Sequence, residues 1–140
     1  VTFNDDRRIR PPAGSMADVT ADLTGRPDLR EVRAAIVEAL LPDADPDDRF
    51  GAALLVVDEL VGNAYRHATT PRLLRAGRTS ENVLVEVSDG DPVAGAVRVV
   101  TSRYGLRLVG QLSLDWGVRT DSHGKVVWAL VPVRIFPVGM

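Results

Sequence analysis

Between Asp45 and Ala68 the chain carries the longest helical pattern it contains, and that pattern has two kinds of surface. Phe50, Ala53, Leu54, Val57, Leu60, Val61, Ala64 and Ala68 recur at the helical period and make an apolar stripe. Asp45 stands as a cap, Pro46 as a first helical residue, Asp47 and Asp48 supply acids to the first turn, and Pro71 closes the segment. Beside the stripe, Glu59, Asn63 and His67 follow one another at helical i, i+4 spacing and share one flank. An apolar stripe needs a second layer to cover it. Polar residues at the rim of such a stripe suit a pocket floor.

The rest of the chain predicts that second layer. Met16 to Leu23 alternates imperfectly and reads as an edge strand. Asp28, with Glu31 at capping-box spacing, predicts a helix start; Leu29, Val32, Ile36, Ala39 and Leu40 carry its apolar face to about Leu41, before Pro42. Arg72–Ala76 and Val83–Ser88 read as paired strands, with Val83, Val85 and Val87 on one face and Leu84, Glu86 and Ser88 on the other. Asp89 to Val93 is a loop, and 94–103 shows no period. A third helix opens at Tyr104 or Gly105, with Leu106, Leu108, Val109, Leu112 and Leu114 apolar. Trp116–Arg119 and Lys125–Val131 are strands about the turn Thr120–Gly124, with Trp116 and Trp128 as core aromatics of that hairpin. Short turns between neighbouring strands imply antiparallel pairing. The expected fold is α+β: a two-layer sandwich with helices on one face of a mixed, mostly antiparallel sheet. Residues 1–14 form a flexible tail or edge strand, 15–132 a single domain, and 133–140 a C-terminal extension.

Composition narrows the chemistry. The 140 residues suit one domain. With 17 basic and 19 acidic residues the net charge is 17 − 19 = −2, which gives no bulk electrostatic reason to bind nucleic acid or an anionic membrane. Without cysteine there is no disulfide, zinc–thiolate site or cysteine nucleophile, and two histidines, His67 and His123, argue against a histidine-rich metal site. No apolar run approaches the ~20 residues of a membrane helix, and Val1 to Pro12 has no signal-peptide core. A cytoplasmic protein is expected. Sixteen of the 17 basic residues are arginine, and Lys125 is the one lysine, a skew of the kind a GC-rich genome produces. The arginines at 7, 8 and 10 are balanced by Asp5 and Asp6 and read as a solvated tail.

Three places could carry chemistry. Glu59 and Asn63 offer oxygens of the kind a hard cation such as magnesium prefers, and a carboxylate near a phosphate can take a proton from an attacking hydroxyl; a solvated helix flank uses the same spacing. Asp89-Gly90 at a strand end could accept from an exocyclic amine and let a ligand approach the backbone, or be a simple turn. Gly105 at a helix entry could leave backbone N–H groups for phosphate, or be an ordinary helix start.

The order of these pieces adds information. Glu-Leu-Val-Gly-Asn-Ala-Tyr-Arg-His-Ala at 59–68 comes first, then Val-Ser-Asp-Gly-Asp-Pro at 87–92 and Tyr-Gly-Leu-Arg-Leu-Val at 104–109. Asp-Trp-Gly-Val at 115–118 and Gly-Lys-Val-Val-Trp-Ala-Leu at 124–130 follow. Over about residues 20–132 the set resembles the GHKL (Bergerat-fold) histidine kinase-like ATPase superfamily, and within it the small anti-sigma-factor serine/threonine kinases.

That resemblance implies a Bergerat fold that binds ATP between the long helix and a lid at 91–104, with Asn63 ligating Mg2+ and Glu59 as general base. It implies that Arg66 and His67 line the phosphate side, that Asp89 with Gly90 reads adenine, and that Arg103, Gly105 and Leu106 lie where the lid meets the phosphates. It further implies an anti-sigma regulator that binds a sigma factor and phosphorylates Ser or Thr of an anti-anti-sigma (STAS-type) partner as a homodimer. Two positions depart from the relatives' pattern: Arg103 replaces a glycine, and Val126 replaces a threonine whose hydroxyl lies near adenine. Both predict weaker nucleotide binding. The alternative is a degenerate GHKL-fold protein-binding module with little or no nucleotide binding and no kinase activity.

Overall fold

The computed structural model describes residues 17–40, 51–90, 105–121 and 124–133. Its elements are β1 (Ala17–Asp22), α1 (Leu29–Leu40), α2 (Gly51–His67), β2 (Pro71–Arg78), β3 (Asn82–Asp89), α3 (Gly105–Leu112), β4 (Asp115–Asp121) and β5 (Gly124–Pro132). The strands form one sheet in the order β1-β2-β3-β5-β4, with β1 and β4 at its edges. The element order and the α+β class are those read from the sequence.

The expectation of a mixed sheet is corrected: every described pairing is antiparallel. The reason lies in the last hairpin. Strands β3 and β4, joined through α3, run the same way, but β5 folds back between them and bonds to both. Among the described strands no parallel neighbours remain.

Helix α1 starts where its cap dictates. The Asp28 carboxylate accepts from Arg30 N at 2.8 Å, and its carbonyl accepts from Glu31 N at 2.9 Å. At the other end Arg78 of β2 donates to Leu40 O at 2.9 Å, placing a cation on the negative end of the helix dipole. Helix α1 packs on β1, α2 on β3 and β5, and α3 on α2. Where α3 meets β4, the Trp116 ring lies so close that a Cβ on Gly110 would stand 3.3 Å from its Nε1.

The core lies between α2 and one face of the sheet. Ala53, Val57, Leu60, Val61 and Ala64 are buried as the stripe predicts, and Ala52 and Val56 join them. Val83, Val85 and Val87 of β3 and Val127, Ala129 and Val131 of β5 meet them. Leu84, Trp128 and Leu130 cluster separately on the opposite face, by strand alternation. The two tryptophans therefore serve different faces: Trp116 packs against the main core, whereas Trp128 is buried on the far side opposite Gly117.

Leu114 is a second correction. Helix α3 ends at Leu112, and Leu114 is 62% exposed, its N–H donating to Leu130 O at 2.8 Å as β4 begins. Among the described residues no helix is long and apolar enough to cross a membrane. The tail at 1–14, the α2 start at Asp45, the lid at 91–104 with Arg103, the turn residue His123 and residues 134–140 lie outside the described residues. Val133 is buried in the core, its N–H donating to Glu81 O at 2.6 Å.

Candidate functional site

Helix α2 does not cover the sheet evenly. Near its C-terminal end the core stripe gives way to a recess of about 240 Å³, mouth included, lined by Leu60, Asn63, Ala64 and His67 above and by Val87, Asp89, Lys125 and Val127 below. Most of that space is open solvent at the mouth, and the enclosed part has room for about one water molecule.

The floor comes from strand register. Asp89 is the last residue of β3, Lys125 the second of β5, and the two are direct cross-strand partners. Residues 83, 85, 87 and 89 share one face of β3, as do 125, 127, 129 and 131 on β5. Both charged side chains are thereby directed under α2. Lys125 Nζ lies 2.6 Å from Asp89 Oδ2, with the side chains 3% and 4% exposed. Two ions brought this far out of water are tolerable only as a pair.

The backbone around the pair is tightly fitted. Gly124 has φ +139°, and a Cβ there would stand 2.0 Å from the Asp89 carbonyl oxygen, so only glycine fits. Gly90 N donates to Thr70 O at 2.9 Å and to Thr70 Oγ1 at 3.1 Å, tying the end of β3 to the segment that follows α2. A register shift between Pro71 and Leu73 interrupts the ladder beside it. Such irregularities often occur where a strand re-aims side chains beside a site.

The roof is fixed from outside. Arg26 donates to Tyr65 O at 2.6 Å and to Ala68 O at 3.1 Å, satisfying carbonyls at the C-terminal end of α2. It does so from φ +52°, an uncommon conformation for a residue with a side chain. Its guanidinium also sits 5.6 Å from the Tyr65 ring centroid, and Tyr65 Oη donates to Pro27 O at 2.8 Å. Burial pushes the Tyr65 hydroxyl pKa up, partly offset by Arg26. On the α1 side of α2, burial pushes the Asp58 carboxyl up, and Arg33 offsets this only partly from 3.6 Å.

Of the residues singled out in the sequence, the recess brings together Asn63, His67 and Asp89. Asn63 is 4% exposed, and its Oδ1 finds no hydrogen-bond partner among the described residues. His67 is exposed at the mouth. Glu59 is half-buried one turn before Asn63 and does not line the recess. Arg66 is exposed and lies along its own helix, its Nη1 3.1 Å from where a Gly62 Cβ would be. Gly90 is exposed next to Asp89, Gly105 and Leu106 open α3, and Arg103 lies outside the described residues. Val126 pairs with Ser88 and, by strand alternation, lies on the face opposite Lys125 and Val127, away from this recess.

Lys125 is the functional candidate that the sequence reading missed. Its signal was present as the one lysine among arginines, at an inward position of an alternating strand. Among the described residues no three His, Asp or Glu side chains group to hold a metal. A magnesium ion at Asn63 would draw its other ligands from phosphate and water, as that ion commonly does. Asn63 fits such a role, because its carbonyl oxygen is a buried acceptor with nothing described to accept from. Neither a family model nor a curated protein matches this chain.

Proposed function

We propose that the chain is an ATP-binding anti-sigma regulator with a Bergerat-type site in this recess, acting on Ser or Thr of an anti-anti-sigma partner and binding a sigma factor. The observation that carries the reading is Asn63 Oδ1, a buried acceptor with no hydrogen-bond partner among the described residues, in the same recess as a buried carboxylate. An unmatched buried acceptor costs on the order of 1–3 kcal/mol. A ligand that satisfies it recovers that cost. In this reading Asn63 holds Mg2+ and Asp89 accepts from the adenine amine. The nucleotide supplies the transferable phosphoryl group. Glu59, one turn back on α2, takes the proton of the partner's hydroxyl, and His67 stands at the mouth.

The test is calorimetric titration of wild type, Asn63→Ala and Glu59→Ala with magnesium-ATP, beside a radiolabelled transfer assay on an anti-anti-sigma protein. Wild type binds and transfers; Asn63→Ala loses both. Glu59→Ala keeps ATP and loses transfer, because a general base acts on the nucleophile rather than on the bound nucleotide. No detectable nucleotide binding by wild type overturns the reading.

A second reading has its own observation. Asp89 already carries the Lys125 ammonium at 2.6 Å, which competes with a ligand amine. It favours a protein-binding module that has the fold but little nucleotide affinity, and tight magnesium-ATP binding by wild type would exclude it.

A further inference from the structure

We infer that Lys125 is a specificity-determining residue of the recess: with Asp89 it forms a donor–acceptor pair that reads adjacent atoms on the edge of a heteroaromatic base. This rests on the nucleotide-binding reading above and adds to it one residue, Lys125, that the sequence did not assign.

The argument starts from what a lysine ammonium requires. It carries three N–H donors and no acceptor. The side chain of Lys125 is 3% exposed, and among the described residues its one polar contact is Asp89 Oδ2. Ammonium donors are thus left in the wall of a recess that also contains the unmatched Asn63 Oδ1. An ion pair whose only task was to hold β3 to β5 would be better placed at the solvated rim, because burial costs each ion several kcal/mol by order of magnitude. Here the pair instead ends a run of apolar cross-strand partners and lines the recess near its mouth.

The 2.6 Å separation places a donor directly beside an acceptor. A planar amide presents the same pairing when asparagine or glutamine contacts adenine, accepting from the N6 amine and donating to the neighbouring ring nitrogen. Asp89 and Lys125 supply those two functions from two strands. Adenine has an acceptor nitrogen on either side of its amine, N1 and N7, and Lys125 donates to one of them. A base with a carbonyl where adenine has its amine turns an acceptor toward the Asp89 carboxylate and is disfavoured. Discrimination then comes from a mismatch as well as a match.

The test varies the ligand first, because that needs no variant of a buried ion pair. Wild type is titrated with the magnesium complexes of ATP, 1-deaza-ATP and 7-deaza-ATP, in which one ring nitrogen is replaced by C–H. A hydrogen bond from a charged donor predicts a loss of roughly tenfold or more for one analogue and little change for the other. Lys125→Met, checked for folding by circular dichroism, is then titrated with the same three ligands. It binds ATP more weakly, and the difference between the two deaza analogues disappears. If ATP binds wild type and both analogues bind equally well, Lys125 does not read the base, while the nucleotide site stands. If Lys125→Met binds ATP more tightly, the lysine obstructs the recess and the inference is overturned. If no adenine nucleotide binds wild type, the nucleotide reading and this inference fail together.

Discussion

Strands β3 and β5 present four cross-strand pairs to α2, and they are not alike. Val83 faces Val131, Val85 faces Ala129 and Val87 faces Val127, while the fourth pair is Asp89 and Lys125. Backbone, face and helix are the same along this row. The apolar pairs are stabilised by burial itself and need nothing more from a partner. The fourth pair is as buried as the others yet is ionic, with Lys125 Nζ 2.6 Å from Asp89 Oδ2, and a recess opens over it. A sheet built for stability alone would continue the valines, so the change from apolar to ionic marks the place where the nucleotide-binding proposal can be tested against a purely structural role.

The comparison breaks most sharply if one ion is removed. Lys125→Ala leaves a buried carboxylate without its cation and is expected to lower unfolding stability by about 3–5 kcal/mol in urea titration. A loss below about 1 kcal/mol would mean that water reaches Asp89 freely and the pair behaves as a surface contact. Val87→Ala, one pair further in, is expected to cost about 2 kcal/mol from lost burial and a small cavity. Its denaturation should respond to salt as wild type does.

Asp89→Leu combined with Lys125→Met sharpens the contrast. Extending the apolar row by one pair should keep stability within about 1 kcal/mol of wild type or raise it. Magnesium-ATP binding by calorimetry should be lost. Retained binding would separate the pair from the ligand.

The smallest effect concerns Asp58, whose carboxyl is raised above its ordinary 3.8 by burial. The folded state therefore holds this proton more firmly than the unfolded chain does. That contribution is complete below the ordinary value and is lost as pH rises through the raised one. Asp58→Asn should match wild type in acid and exceed it at neutral pH by less than about 1 kcal/mol, the margin being reduced by Arg33 and by solvent. Melting temperatures of both proteins across that range check it; a gap that does not change with pH excludes the carboxyl as its source.

What could be read from the sequence was local. The Asp28 cap, the stripe from Ala53 to Ala64 and the alternation of Val83, Val85 and Val87 each follow from residues near one another in the chain, and all recur in the fold. Asn63, His67 and Asp89 could be singled out because helical spacing and a strand end are also local signals. What could not be read depends on register between distant segments. Nothing near Lys125 reports that it faces Asp89, since only the pairing of β3 with β5 fixes that. Nor does the turn before α1 reveal that Arg26 reaches Tyr65 and Ala68. The mixed sheet was misjudged for the same reason, because local periodicity does not say that β5 enters between β3 and β4.

That insertion has a consequence for synthesis. Strand β5 is the last of the five described strands to leave the ribosome, yet it sits inside the sheet with neighbours on both sides. Until it arrives, β3 presents an open edge rich in valine, the kind of surface that pairs with other chains. The recess has no Lys125 and no complete floor during that interval. A nascent chain stalled before Gly124 should therefore be prone to aggregation, because the sheet's central gap closes only with the last of these strands.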